Sequence, residues 1–152
     1  MSAATPHFEE YAFDYAGRLS IIHPKKNAHS KVRIIGIGGE LFFGVVDILE
    51  NTLEKIAEDP QVKVLILRLN HVHHMDGSMC LAISQLHQYL RSSNRHLIVS
   101  GLTESVWSVF ERAKLTEKMD RQNLFLRDET RPQFSTWKAC LRAQELIDNR
   151  GK

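Results

Sequence analysis

The middle of the chain carries the clearest pattern of apolar and polar positions. Residues 64–67 form an unbroken apolar run, which is typical of a parallel strand buried on both faces of a sheet. From residue 79 onward the apolar residues recur at helical spacing, which predicts an amphipathic helix. Its inner face comprises Met79, Ala82, Ile83, Leu86 and Leu90, and its outer face comprises Ser84, Gln85, Gln88 and Arg91.

A polar loop, residues 70–78, joins this strand to this helix, and Asp76 stands where the helix is predicted to begin. A carboxylate there can accept a hydrogen bond from a free amide of the first turn, and its charge suits the positive end of the helix dipole. In open α/β sheets, ligands and partners are met at the carboxyl ends of the strands. We therefore expect the loop to be a partner-binding or switch site formed by His71, His73, His74, Asp76, Gly77 and Ser78.

Shorter patterns predict the remaining elements. Residues 19–22 read as an edge strand and residues 32–37 as a second strand that can pair with it as a hairpin, whereas residues 1–17 are aperiodic and are expected to pack loosely. Two early strands followed by alternating helices and strands predict an α/β fold, a mixed sheet with helices packed mainly on one face. Further helices are predicted around residues 46–56, around 104–113 with Thr103 as cap, and around 136–147 with Ser135 as cap, and further strands at 96–100 and 123–126.

Composition narrows the range of functions. The 152 residues fit one domain, and 20 basic residues against 18 acidic ones, without a basic tract, argue against nucleic-acid binding. No apolar run is long enough for a membrane span, and the N-terminus lacks the features of a signal peptide, so no direct insertion into a membrane is expected. Cys80 and Cys140 fall inside predicted helices without metal-ligand spacing, as expected of reduced thiols in an intracellular protein.

Two of the remaining motifs could bind a phosphate group or a metal ion. The glycine cluster at residues 36–44 lacks the third glycine of GxGxxG and the lysine of a P-loop, so a tight strand-to-helix turn is favoured over a phosphate-binding loop. The histidines and Asp76 lack a further ligand at zinc spacing, so we expect no metal and interpret them as exposed side chains. Such imidazoles can make docking sensitive to pH between about 5 and 7, which is a hypothesis.

Nucleophilic catalysis would need Ser78 or Cys80 beside a histidine and an orienting carboxylate. His74 and Asp76 are close in sequence, but the chain has no GxSxG elbow, and Cys80 is expected to face the core. We therefore predict no catalytic residues, no cofactor and no enzymatic activity.

Five segments together resemble a STAS domain, more narrowly the cytosolic C-terminal STAS domain of SulP-type sulfate and anion permeases. The more specific parts are the LFFG signature at residues 41–44 and the strand-loop-Asp junction at Asp76. The resemblance implies a sheet of four to five strands with three to four helices over residues 31–149. Residues 1–30 lie outside the resemblance and are expected to form an N-terminal arm that can include an edge strand. The segments are RIIGIGGELFFG, VLILRLNHV, MDGSMCLAI, LIVSG and NLFL.

The family has a second branch, the anti-sigma-factor antagonists, in which the residue directly after the loop aspartate is a serine that a partner kinase phosphorylates. Gly77 occupies that position here, and the hydroxyl comes one residue later, at Ser78. Ser78 is therefore a candidate phosphorylation site, because a helix N-terminus favours an anion, but the favoured role of its hydroxyl is to supplement the Asp76 cap.

The resemblance implies a non-catalytic regulatory or interaction domain. Its expected partner is the transmembrane domain of an anion transporter or a cytosolic regulatory protein, and its expected location is the cytoplasm, or the cytosolic face of the inner membrane through a transporter. The alternatives are a stand-alone anti-sigma-factor antagonist and a nucleotide-binding module using the glycines at residues 36–39. A homodimer, and the presence of a transporter upstream in the same polypeptide, are left open.

Overall fold

A single mixed β-sheet organises the chain. The computed structural model describes residues 7–38 and 46–149, and its sheet has six strands in the order β2-β1-β3-β4-β5-β6. β1 is antiparallel to β2 and β3, whereas β3, β4, β5 and β6 are parallel. The mixed sheet is as predicted, but it has six strands where four to five were expected. The strands are β1 His7–Phe13, β2 Leu19–Ile22, β3 Val32–Gly38, β4 Val64–His71, β5 His96–Leu102 and β6 Leu124–Leu126.

The helices cover both faces of the sheet unequally. Leu65, Leu67 and Leu69 of β4 belong to a large core that also contains buried side chains of α1, α2, α3 and α4. Val64 and Ile66 point the other way, into a smaller core with Ala139 of α5. Helices packed mainly on one face are therefore confirmed. The helices are α1 Val46–Ala57, α2 Gly77–Ser92, α3 Glu104–Arg112, α4 Leu115–Lys118 and α5 Phe134–Asp148.

The expectation of a loosely packed N-terminal arm is wrong for residues 7–13. These residues form β1, which lies between β2 and β3, so the hairpin expected between β2 and β3 is also wrong. The sequence does not predict this strand, because the inward-facing residue Glu10 is charged. Glu10 is 4% exposed, and its carboxylate accepts hydrogen bonds from Arg33 Nε and from Asn27 Nδ2, both at 3.0 Å. The edge position expected of β2 is confirmed, and the domain boundary near residue 30 stays a prediction.

Two predicted side-chain roles in the helices are also corrected. Ser135 does not cap the last helix, because α5 already begins at Phe134 and Ser135 is buried. The preceding residue, Gln133, does not cap α5 through its side chain but binds the β1–β2 hairpin, accepting from Leu19 N at 2.9 Å and donating to Gly17 O at 3.0 Å. Ser84, expected on the outer face of α2, is 6% exposed.

Candidate functional site

The loop after β4 is held at two points by apolar side chains. β4 is buried from Val64 to Asn70 and becomes exposed at His71. Val72 and Met75 are buried again, at 0% and 8% exposure, while His73 and His74 between them are exposed. Burial of every second or third residue fixes the path of the loop, so the two imidazoles are presented to solvent on an ordered backbone.

Polar contacts from α3 hold the same loop from the side. Ser105 Oγ donates to the carbonyl of His73 at 2.8 Å, and Thr103 Oγ1 donates to the carbonyl of Val72 at 3.4 Å. Thr103 also accepts from Val106 N and so caps α3, as predicted. The sequence analysis missed Ser105, because its contact is with a segment 32 residues earlier and carries no local signal.

Asp76 caps α2 as predicted. Its backbone is extended, and its Oδ1 accepts from Met79 N at 3.0 Å and from Ser78 Oγ at 2.6 Å. The hydrogen bond from Ser78 and then that from Met79 N lower the pKa of Asp76 below its ordinary value of 3.8. Ser78 thus supplements the cap while staying half-buried, and Asp76 and Gly77 are exposed.

The predicted site residues do not form one cluster. Asp76 and Ser78 meet at the start of α2, whereas His71 lines a cavity on the α5 face of the sheet together with Arg68 and Gly36. Desolvation, followed by the positive charges of Arg68, Arg127 and His73, lowers the pKa of His71 below 6.5. The hypothesis of docking sensitive to pH must therefore allow for a His71 whose pKa lies below its ordinary value.

The described residues form neither a cluster of metal ligands nor an activated thiol. Across residues 7–38 and 46–149, no three His, Cys, Asp or Glu side chains lie close enough to hold a metal ion. Cys80 is 3% exposed, and desolvation, with a smaller contribution from the charge of Asp76, raises the pKa of its thiol to about 11. Burial likewise raises the pKa of the Cys140 thiol to about 11. Both cysteines are thus protonated at neutral pH, and a thiol is a much weaker nucleophile than a thiolate.

The glycine cluster is described only in part. Gly36 lies in β3, and a Cβ there would clash with the ring of Tyr11, so close packing explains this glycine. The LFFG signature at residues 41–44 lies outside the described residues. Within the described part of the chain, no helix combines the length and the apolar character that a membrane span requires.

Comparison with known proteins identifies a family and several relatives that match part of this chain. A model of the family "STAS domain" matches residues 23–130. The Bacillus subtilis protein named "Putative sulfate transporter YvdB" is 32% identical over 106 residues, which are 68% of this chain and 20% of that protein. "Sulfate transporter 2.2" of Arabidopsis thaliana is 29% identical over 77 residues, which are 51% of this chain and 11% of that protein. The chain therefore spans a fifth or less of the length of these two relatives.

Solved structures share the fold. A sulfate transporter family protein from Wolinella succinogenes is 25% identical with a TM-score of 0.65, covering 79% of this chain and 90% of its own. The murine anion transporter Slc26a9 is 17% identical with a TM-score of 0.73, covering 93% of this chain and 22% of its own. The unphosphorylated anti-sigma factor antagonist SpoIIAA is 17% identical with a TM-score of 0.57, covering 75% and 89%. At 17% identity, the last two show a common fold and nothing more.

The cap on α2 leads to a stability prediction. Asp76→Ala should lower the free energy of unfolding by about 1 kcal/mol at neutral pH, because an orphan amide loses its acceptor. Since the folded-state pKa of Asp76 is depressed, its contribution is complete above the ordinary value of 3.8 and is lost as pH falls through the folded-state pKa. Urea unfolding of both proteins at neutral and strongly acidic pH measures the difference.

The control for this prediction is Ser78→Ala, which removes one hydrogen bond to Asp76 and leaves the amide contact. It should destabilise the protein less than Asp76→Ala does. Equal stability of Asp76→Ala and the wild type at neutral pH would contradict the cap.

Proposed function

This chain belongs to the STAS domain family, and we propose that it is a non-catalytic regulatory domain that docks through residues 72–78 onto the transmembrane domain of a sulfate or other anion transporter. The proposal rests on the relatives named for sulfate transport, of which this chain corresponds to a small part. The proposal implies a location in the cytoplasm, at the cytosolic face of the membrane that holds the transporter.

The observation that carries the proposal is a surface that is ordered before it binds. The buried side chains of Val72 and Met75 and the hydroxyl of Ser105 hold the loop, while His73 and His74 stay exposed. A pre-organised surface loses little conformational freedom when a partner docks, so more of the contact energy appears as affinity.

The chemistry of the junction supports a role without bond-making. The hydroxyl of Ser78 donates to the Asp76 carboxylate, but the lowered pKa of Asp76 makes this carboxylate too weak a base to activate a serine. The Cys80 thiol is buried with its pKa raised to about 11. Neither group has the activation that nucleophilic catalysis requires.

Gly77 offers a direct test of docking. It is exposed and an added Cβ there meets nothing within 4 Å, so Gly77→Gln should add bulk at the surface without disturbing the fold. We expect this variant to weaken binding to a SulP-type transmembrane domain, purified without its own STAS domain and held in lipid nanodiscs, by at least about tenfold. Surface plasmon resonance with the 152-residue chain as analyte measures the affinity.

The matched control is Gln88→Ala, a change at an exposed position in the last turns of the same helix, which should bind like the wild type. Unchanged affinity of Gly77→Gln, or equal losses in both variants, would contradict docking through this junction.

A second candidate function is that of an anti-sigma-factor antagonist in a phosphorylation-dependent partner switch. The position of Ser78 favours it, since the hydroxyl is half-buried in the first turn of α2, where free amides and the helix dipole stabilise a phosphate. Gly77 directly after Asp76 weighs against it.

Incubation with a serine kinase of such a switch, ATP and Mg²⁺ separates the two candidates. The regulatory-domain proposal predicts no incorporation of phosphate. Stoichiometric phosphate that disappears in Ser78→Ala would instead establish the antagonist.

A further inference from the structure

A second feature of the carboxyl edge lies on the opposite face of the sheet from α2. Glu9, Gly36, Arg68 and Ser100 are register partners on four neighbouring strands, so their side-chain positions form one row on the α5 face. Ser100 is buried and hydrogen-bonded to Thr136 of α5 at 2.9 Å. Gly36 contributes no side chain, and the ring of Tyr11 lies over it, between the acidic and the basic member of the row.

Arg68 is buried without a counter-ion among the described residues. It is 7% exposed, its Nε has no hydrogen-bond partner, and its Nη2 reaches the carbonyl of Pro132 only at 3.5 Å. Its guanidinium stacks over the ring of Tyr11 at 5.0 Å from the centroid. A buried cation normally has an anionic partner, because desolvating an unpaired charge costs several kcal/mol.

A cavity of about 380 Å³ adjoins this arginine. Gly36 and Gly38 of β3 form part of its wall, and the ring of Tyr11 lies so close to Gly36 that a Cβ would clash with it. The remaining lining includes Glu9, Ile21 and His71. The cavity thus lies beside a buried cation that has no anionic partner among the described residues.

Arg68 and Glu9 are the charged side chains among the residues that line the cavity. Arg127 lies outside the lining and, together with Arg68, lowers the pKa of His71, whereas Glu9 raises it. Glu9 is half-buried and accepts a hydrogen bond from the hydroxyl of Tyr11 at 3.2 Å. Solvent screens a partly exposed carboxylate more effectively than a buried guanidinium.

We propose that this cavity binds a small oxyanion, with the guanidinium of Arg68 as its principal donor and His71 as a further donor. The planar fork of a guanidinium matches two oxygens of a carboxylate, phosphate or sulfate group, which a spherical halide cannot reproduce. The inference is independent of the proposed docking function, since it concerns the chain alone and a different face of the sheet.

Sulfate is the probe of choice because, unlike phosphate, it does not change its charge near neutral pH. NMR titration of the isotope-labelled chain at constant ionic strength, with chloride as the balancing anion, should show saturable shifts at Gly36, Arg68 and His71. Sulfate should also raise the pKa of His71, because an anion stabilises the protonated imidazole. The exposed His29, on the surface before β3, serves as an internal control, and its resonances should show no saturable shift with sulfate.

Two substitutions test the donor and the opposing charge. Arg68→Gln should weaken sulfate binding at least about tenfold, whereas Glu9→Gln should strengthen it severalfold by removing the like charge. Sulfate stabilises proteins generally. The stabilisation due to specific binding is therefore the rise in Tm that sulfate causes in the wild type minus the rise that it causes in Arg68→Gln. Arg68→Lys keeps the charge but loses the fork, and should bind more weakly than the wild type.

Several outcomes would overturn the proposal. These are shifts that do not saturate at millimolar sulfate, equal affinity of sulfate and chloride, or an unchanged affinity in folded Arg68→Gln or Arg68→Lys. A preserved amide spectrum establishes that each variant is folded, so loss of structure is not mistaken for loss of the donor.

Discussion

The burial of β4 on both faces is the constraint on which the rest of the structure depends. Val64, Leu65, Ile66 and Leu67 are all 0% exposed, and they divide alternately between the two cores of the domain. Parallel pairing with β3 and β5 fixes the direction of the strand, so its carboxyl end emerges at the same edge as theirs. The proposed docking loop and the proposed anion site both lie at that edge, where the apolar run of β4 ends and polar side chains begin.

The polar end of β4 is held by contacts that come from distant parts of the chain. Asn70 is buried and donates from Nδ2 to the carbonyl of Pro132 at 2.8 Å, while its own carbonyl accepts from Arg127 Nη1 at 3.1 Å. Gly101 of β5 has φ of 74° and lies where a Cβ would clash with Asn70. These contacts join the end of β4 to the segment that precedes α5, whereas the cavity beside Arg68 stays unfilled.

The local features of the site were predictable from the sequence, and the non-local ones were not. The apolar run of β4, the helical spacing of α2 and the caps Asp76 and Thr103 each depend on residues a few positions apart. The placement of β1, the row joining Glu9 to Arg68 and the hold of Ser105 on the loop depend on strand order and on contacts between elements. The burial of Glu10 was likewise not predictable from local sequence, because its charge is compensated by Arg33 on a neighbouring strand.

Native-state hydrogen exchange tests most directly whether β4 delivers an ordered surface. The amides of Val72, Met79 and Cys80 donate hydrogen bonds within the junction, to Leu69 O, Asp76 Oδ1 and Asp76 O at 3.0, 3.0 and 3.2 Å respectively. We expect these amides in the free chain to exchange far more slowly than those of an unstructured peptide. Exchange at the unstructured rate, while the β4 amides stay protected, would show that the surface is not formed before a partner arrives.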